Sequence, residues 1–372
     1  MSEEINLKPE VIIALIETSG FEKEEVAKKA RISLKSLEAG KLTVAQIKRL
    51  AQVLKRPVAA FFSDEITPLP ATPDYRLNRE KRINPEVYLA QRKLIYLREK
   101  LKELGAENTV IPSFEPGLSP FQQANAFRDY LKVDVLKNQK PGDILKHYKK
   151  VLEDRLNLLI IEYPLKPEGL EATDDVRAFS IYSEISGVVL NETDNPSVKL
   201  FSLFHEVCHL LRRTSGICSL EYGVEERYEE ETFCNQFAAE FLVPSSDLRE
   251  ELKNYTLAGE TILEDAGDLS KIYGVSKQVI LLRLLYHGVL SREKYYSLKQ
   301  ELESTEIKKQ GGYRNWEEVF KNRTGNLTIR TVRRKLQENR LSFYEALTIL
   351  DVKTNYAEKL LHTLITPAWC KL

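Results

Sequence analysis

Apolar residues in the first sixty positions recur at helical spacing. Val11, Ile12, Leu15 and Ile16 form one stripe behind Pro9, a residue suited to a first helical turn. Glu22–Ala30 turns Val26 and Ala27 inward, a turn over Arg31–Ser33 follows, and Leu34–Ala39 stops at Gly40. Thr43 caps a stretch carrying Ile47, Leu50, Ala51 and Leu54, and Pro57 opens an apolar turn ending at Phe61–Phe62. Residues 1–63 are therefore expected to form a compact helical unit. Pro68, Pro70 and Pro73 then disfavour helix, so residues 64–80 read as a linker.

Beyond the linker the period changes twice. Val87–Leu104, Pro120–Val133 and Ile144–Leu156 read as helices, and Leu158–Tyr163 is a short β-like apolar run. Val176–Tyr182 and Gly187–Asn191 read as two strands around a turn at Ser183–Ser186. Leu200–Arg213 returns to helical spacing, as does the stretch from about Glu225 to Val243. Asp268–Tyr273 and Lys277–Tyr286 form an expected helix pair, Gln310–Gly312 a break, and Thr328–Glu338 and Ser342–Leu350 two last helices. Ser342 and Glu345 make a capping box for the final one. The expected class is α+β, predominantly helical with a small sheet. The expected division is 1–63, linker 64–80, a central domain 81–255, and a C-terminal helical region 256–372.

Composition narrows the function classes. Lys plus Arg equals Asp plus Glu, 55 each, so no global field points to nucleic acid or membrane. The opening residues are polar and acidic with no apolar run behind them, and no stretch reaches membrane-spanning length. Four cysteines, Cys208, Cys218, Cys234 and Cys370, include no C-x-x-C pair. A cytoplasmic location is the default expectation.

The candidate chemistry lies in His205-Glu206-Val207-Cys208-His209. Residues four apart share a helix face, so the two imidazoles project one above the other. That pair can hold a Zn²⁺ at roughly 2.0–2.1 Å. Glu206 is rotated by about 100° around the axis, beside the ion but not on it, where a general base belongs. The chain has five histidines, and two of them take this spacing around a glutamate on an apolar helix. A chance arrangement is the weaker explanation.

A catalytic zinc needs a third protein ligand and an open fourth position. Glu229, Glu230 and Glu231 are the choices on the next helix. Glu231 is followed at helical spacing by Cys234, Asn235 and Ala238, small residues that allow two helices to approach closely. Glu229 heads a polar row with Gln236 and Glu240, and Glu230 lies above Phe233, Phe237 and Phe241. Glu231 is therefore the predicted ligand, with Glu229 a solvated helix start.

HEVCH followed by ETFCNQFAAEFLVP at 231–244 resembles the ImmA/IrrE metallopeptidases, whose third ligand precedes an [AC]-N-x-F-A-A run by a few residues. The preceding SGVVLN and KLFSLFHE are similar too, and the specific resemblance spans roughly 176–244. It implies a zincin-like domain with Glu231 as third ligand and a strand before the active-site helix. By that analogy Gly187, Val188, Val189, Leu190 and Asn191 form an edge that receives an extended substrate. The implied substrate is a cellular regulator protein, often a helix-turn-helix repressor.

The N-terminal unit resembles the Xre-type helix-turn-helix. Residues 1–62 carry eleven Lys/Arg against eight Asp/Glu, modest for a DNA reader, and Leu34–Ala39 is about one turn short for a recognition helix. Arg31, Ser33, Lys35, Ser36 and Lys41 are the candidate DNA contacts; a protein-docking role is the alternative. Tyr182 and Tyr222 are candidates for oxyanion stabilisation, and Cys218 a candidate inhibitory thiolate. His147, His287 and His362 have no partner in sequence. The reading is a zinc metalloendopeptidase with Glu206 as base, acting on a specific intracellular protein. Its rival is a DNA-binding regulator or antitoxin-like protein, with operator DNA and a toxin as partners. A homodimer is compatible with either, and no membrane partner is expected.

Overall fold

Side-chain caps set the start of several helices. The computed structural model describes residues 4–63, 85–165, 176–213, 224–255, 257, 261–305 and 315–352. The expected linker at 64–80 lies outside them, as do Cys218, Tyr222, His362 and Cys370. Two compact units emerge, one of residues up to Ile95 with Pro164–Val176, the other of Tyr96–Tyr163 and Arg177 onward.

The first unit holds β1 (Glu4–Asn6), α1 (Pro9–Glu17), α2 (Lys23–Ala30), α3 (Leu34–Ala39), β2 (Lys41–Thr43) and α4 (Val44–Leu54), then a 3-10 turn over Val58–Phe62. Ser33 caps α3 by accepting from Ser36 N, and Thr43 and Gln46 form a capping box on α4. The β1–β2 antiparallel pair was not expected from the sequence, whose three-residue strands are too short for an alternation signal. It brings Leu7 N to Gly40 O at 2.8 Å. Gly40 has φ +66°, and a Cβ there would sit 2.2 Å from Leu7 O, so glycine is required on both counts. Leu7, Val11, Ile12, Leu15, Val26, Leu37, Ile47, Leu50 and Phe61 fill the core.

The boundary between units falls within α5 (Pro85–Glu103). The second unit continues with α6 (Pro120–Leu131), α7 (Pro141–Leu156), β3 (Leu159–Tyr163), β4 (Ala178–Ile181), β5 (Gly187–Asn191), α8 (Pro196–Arg212) and α9 (Val224–Leu242). Then come α10 (Ser245–Leu252), α11 (Ile262–Tyr273), α12 (Lys277–Tyr286), α13 (Arg292–Thr305), α14 (Trp316–Thr324), α15 (Asn326–Gln337) and α16 (Phe343–Leu350). One hydrophobic core runs from α6 through α7, β3, β5, α8 and α9 to α13. The expected boundary at 255/256 falls inside this core: Leu248 before it and Ile262, Leu269 and Ile280 after it belong to the same cluster. Among the described residues no helix is long and apolar enough to cross a membrane.

The sheet order corrects one expectation. It is β3-β5-β4, with β5 parallel to β3 and antiparallel to β4. Gly187–Asn191 is therefore the central strand, paired on both sides, and cannot accept a substrate strand at an edge. All five of its residues are buried, the pattern of a strand covered on both faces.

Two buried ionic clusters tie the layers together. Glu162 on β3 accepts from Lys149 of α7 at 2.9 Å and from Lys199 of α8 at 2.6 Å. Glu240 on α9 pairs with Arg283 of α12 and accepts from Ser245 N and Oγ at 2.9 and 2.6 Å. Arg128 of α6 donates to Glu240 O and Phe241 O, satisfying carbonyls in the last turn of α9.

Burial raises the Glu162 pKa, but Lys149 and Lys199 outweigh it and hold the carboxyl below its ordinary value. A depressed carboxylate contributes stability above its unfolded pKa and loses it as pH falls through the folded pKa. Glu162→Gln leaves two buried ammonium groups facing a neutral amide, an expected loss of roughly 3–5 kcal/mol. Urea unfolding at neutral pH checks this, and the gap between wild type and variant should close in acid. A loss under about 1 kcal/mol would show that the lysines are served by other partners.

Candidate metal centre

Helix α8 starts at Pro196, in the first-turn position where its missing N–H costs nothing, and ends at Arg213 in the left-handed region. It is covered by α7, α9, β4 and β5, which is why its middle is buried on every side. Phe204 stacks on Phe241 of α9 with ring centroids 3.9 Å apart, and Tyr148 of α7 meets Phe204 edge-on at 5.1 Å. Helices α8 and α9 run in opposite directions, since Phe204 meets Phe241, His205 meets Asn235 and Arg212 meets Glu230. Cys234 and Ala238, fully buried, and Asn235 allow the close approach.

Three donor residues converge between these helices. His205 Nε2 lies 3.1 Å from His209 Nε2, and Glu231 places its two oxygens 3.2 Å from the two imidazole nitrogens. In a tetrahedral site with bonds of roughly 2.0–2.1 Å, neighbouring ligand atoms are about 3.3 Å apart. The separation of the two imidazole nitrogens is close to that edge, and each Glu231 oxygen lies near it from one imidazole. Asn235 Oδ1 lies 3.1 Å from His205 Nδ1, and as an acceptor it selects the tautomer whose Nε2 lone pair faces the cluster. The donor chemistry therefore suits a divalent cation held by His205, His209 and Glu231.

Electrostatics agree with that fit. Burial raises the Glu231 pKa, yet the His205 and His209 imidazoles hold the carboxyl well below the usual carboxylate range. Burial opposes charge on His209, but Cys234, Glu231 and Glu206 around it push its pKa well above the ordinary value. The Glu231 and Glu206 carboxylates that favour a proton on His209 also favour a metal cation there. The Cys234 thiol, raised by burial and by the adjacent Cys208 thiol, stays neutral.

Glu206 does not join the three donors. It is 8 % exposed, and its Oε2 accepts from Ser180 Oγ of β4 at 2.8 Å. Ser180 was missed in the sequence; its signal was a polar residue between Phe179 and Ile181 in a strand with a buried face. Asn235 and Cys234, read there only as small packing residues, both contact ligand imidazoles. Glu230 binds Arg212 Nε at 2.6 Å, and that guanidinium lies over the Phe233 ring at 4.0 Å. Glu229 is exposed. Glu240, placed in a polar row with Glu229, is instead buried in the anchor that holds the other end of α9.

The remaining candidates are dispersed. Gly187–Asn191 lie in the central strand. Tyr182 stands just past β4 with the Arg213 guanidinium 5.9 Å from its ring. His287 faces Arg283 at 3.1 Å, and burial and that arginine lower its pKa, so it is a satisfied partner and not a ligand. In the first unit Arg31, Ser33, Lys35 and Lys41 are exposed and Ser36 half-buried, with the Ser33 hydroxyl engaged in capping α3.

Comparison with known families adds an independent observation. Residues 153–285 match the model of the M78 peptidase family, the IrrE N-terminal-like domain. The matched segment is about a third of the chain and runs from the end of α7 to α12, taking in β4, α8 and α9. It contains all three donors, Glu206 and Ser180, and supports a metallopeptidase of the ImmA/IrrE type. The N-terminal helices lie outside it. A search of curated proteins finds no match.

The chain is expected to bind about one equivalent of a divalent metal, and His205→Ala or His209→Ala to abolish tight binding. Because the His209 pKa is raised above 6.5, a bound proton must be displaced, so affinity should weaken with falling pH from a point already above that value. Calorimetric titrations in buffers of different ionisation enthalpy measure the proton release. A pH-independent affinity would count against the assigned donors.

Proposed function

We propose that this chain is a zinc-dependent endopeptidase that hydrolyses a peptide bond in a specific protein. The observation that carries the reading is the convergence of His205, His209 and Glu231, with the Glu206 carboxylate set beside them and not among them. Two imidazoles and one carboxylate fill three positions of a tetrahedron and leave a fourth for reacting species, the arrangement of a catalytic and not a structural zinc. A bound zinc ion supplies Lewis acidity toward a carbonyl and a water. Glu206 takes a proton from the attacking water at its carboxylate and returns it to the leaving amine. Ser180 donates to Glu206 Oε2 and so helps to hold the carboxylate in one rotamer. Burial of the cluster between α8, α9 and β4 limits competing water.

We place the substrate segment beside β4, an outer strand of the three-stranded order, which packs on α8 and carries Ser180. The substrate class that the family resemblance implies is a regulator protein such as a helix-turn-helix repressor. Glu206→Gln should retain its zinc while cleavage of a trapped substrate falls by at least about 10²-fold. Ser180→Ala should also keep its zinc and lose turnover by a smaller factor, read as a change in kcat with KM preserved. Glu206→Gln with undiminished cleavage would sink the mechanism.

A second reading, operator binding by the N-terminal unit, is favoured by one arrangement: α2 and α3 joined by a three-residue turn, with Arg31, Lys35 and Lys41 exposed around it. Against it stands the six-residue length of α3. If the unit reads DNA, Lys35→Ala should weaken binding and reduce the salt slope by about one counterion. A binding assay over a range of salt that finds no sequence preference removes this reading without touching the peptidase site.

A further inference from the structure

An imidazole has two ring nitrogens, and only one can face an ion. For His205 the other, Nδ1, is accounted for by Asn235. For His209, Nε2 is turned to His205 and Glu231, which leaves Nδ1 for a neighbour on α9, and the Cys234 sulfur lies within 4.8 Å of a His209 ring nitrogen. Cys234 is 0 % exposed, so its bonds are internal. Its Sγ lies 3.9 Å from Glu230 Oε1, placed to donate S–H, and Arg212 holds that carboxylate from the far side. Imidazole, thiol, carboxylate and guanidinium thus form one line from the cluster to the rim of α8.

We propose that Cys234 is a positioning residue for the metal centre: its sulfur accepts the His209 ring N–H while its own S–H points to Glu230, fixing the tautomer and tilt of His209. The proposal rests on the reading of His209 as a metal ligand. A hydrogen-bond partner behind a ligating histidine orients the ring and raises its basicity. Sulfur is a weak acceptor alone, and the Glu230 charge behind it strengthens the polarisation along the line. Cys234 could instead be a ligand, since donor atoms of His209, Glu230 and Cys234 lie within 4.8 Å of one another. Two contacts argue against that. Arg212 already occupies Glu230, and His209 Nε2 faces the other cluster.

The test uses the full chain and zinc itself, competed against a chromophoric chelator. Cys234→Ala should lower zinc affinity about 10–100-fold, and Cys234→Ser, whose hydroxyl both donates and accepts, should restore it to within about threefold. Glu230→Gln should fall between. Thermal unfolding of the metal-free variants reports packing separately, and Cys234→Ser rescue is a readout that packing alone would not produce. Cobalt in the wild-type site should show no thiolate charge-transfer absorption. Wild-type affinity in Cys234→Ala, equal losses in the Ala and Ser variants, or a charge-transfer band that disappears in Cys234→Ala would each overturn the proposal. If Cys234→Ala does not fold, Glu230→Gln decides: reduced affinity at unchanged metal-free stability supports the relay, and unchanged affinity overturns it. A wild-type chain that binds no zinc would defeat the metal-site reading itself, a different result from wild-type binding that the variants leave intact.

Discussion

The antiparallel contact between α8 and α9 is what the rest of the second unit serves. Two of the three donor residues come from α8 and the third is delivered by α9. That delivery demands close approach, which the small side chains of Cys234 and Ala238 permit, and fixed register, which Phe204 on Phe241 supplies. The aromatic stack adds roughly 0.5–1.5 kcal/mol beyond its burial, but its larger role is to deny the helices a one-turn slip.

Register is reinforced by charges that an apolar core would not require. Glu240, Arg283, Ser245 and the Arg128 bonds to α9 carbonyls pin the C-terminal turn of that helix to α6, α10 and α12. Glu162 with its two lysines does the same for β3, α7 and α8. Ion pairs this deep contribute little net stability over apolar packing, yet they reject misaligned alternatives, because any shift strands a buried charge.

Much of this was legible along the chain, and the pattern of failures has a physical basis. Leu34–Ala39 and Lys277–Tyr286 were bounded correctly because Ser33 with Gly40 and Ser276 with Gly274 are local signals. The start of α11 was placed six residues late, at Asp268 and not Ile262, since Gly267 inside it weakens the helical pattern. The histidine pair and Glu231 could be chosen from helical faces alone. Ser180, Asn235 and Cys234 could not, since each acquires its role from a partner on another element. The misplacement of Gly187–Asn191 at an edge had a different origin, an analogy to the family, where the structure buries all five residues in mid-sheet. Glu240 shows the same limit: a glutamate aligned with polar neighbours carries no mark of the arginine waiting for it on α12.

Dividing the donors between two helices has a thermodynamic corollary. An ion seated among His205, His209 and Glu231 cross-links α8 to α9 in the way a disulfide would, but reversibly and at a strength set by free metal concentration. At a hundredfold excess over its dissociation constant such a ligand adds about 2.7 kcal/mol to the folded state. The cation would thus act as a removable rivet in the middle of the core, making the mechanical integrity of the fold answer to the metal supply around it.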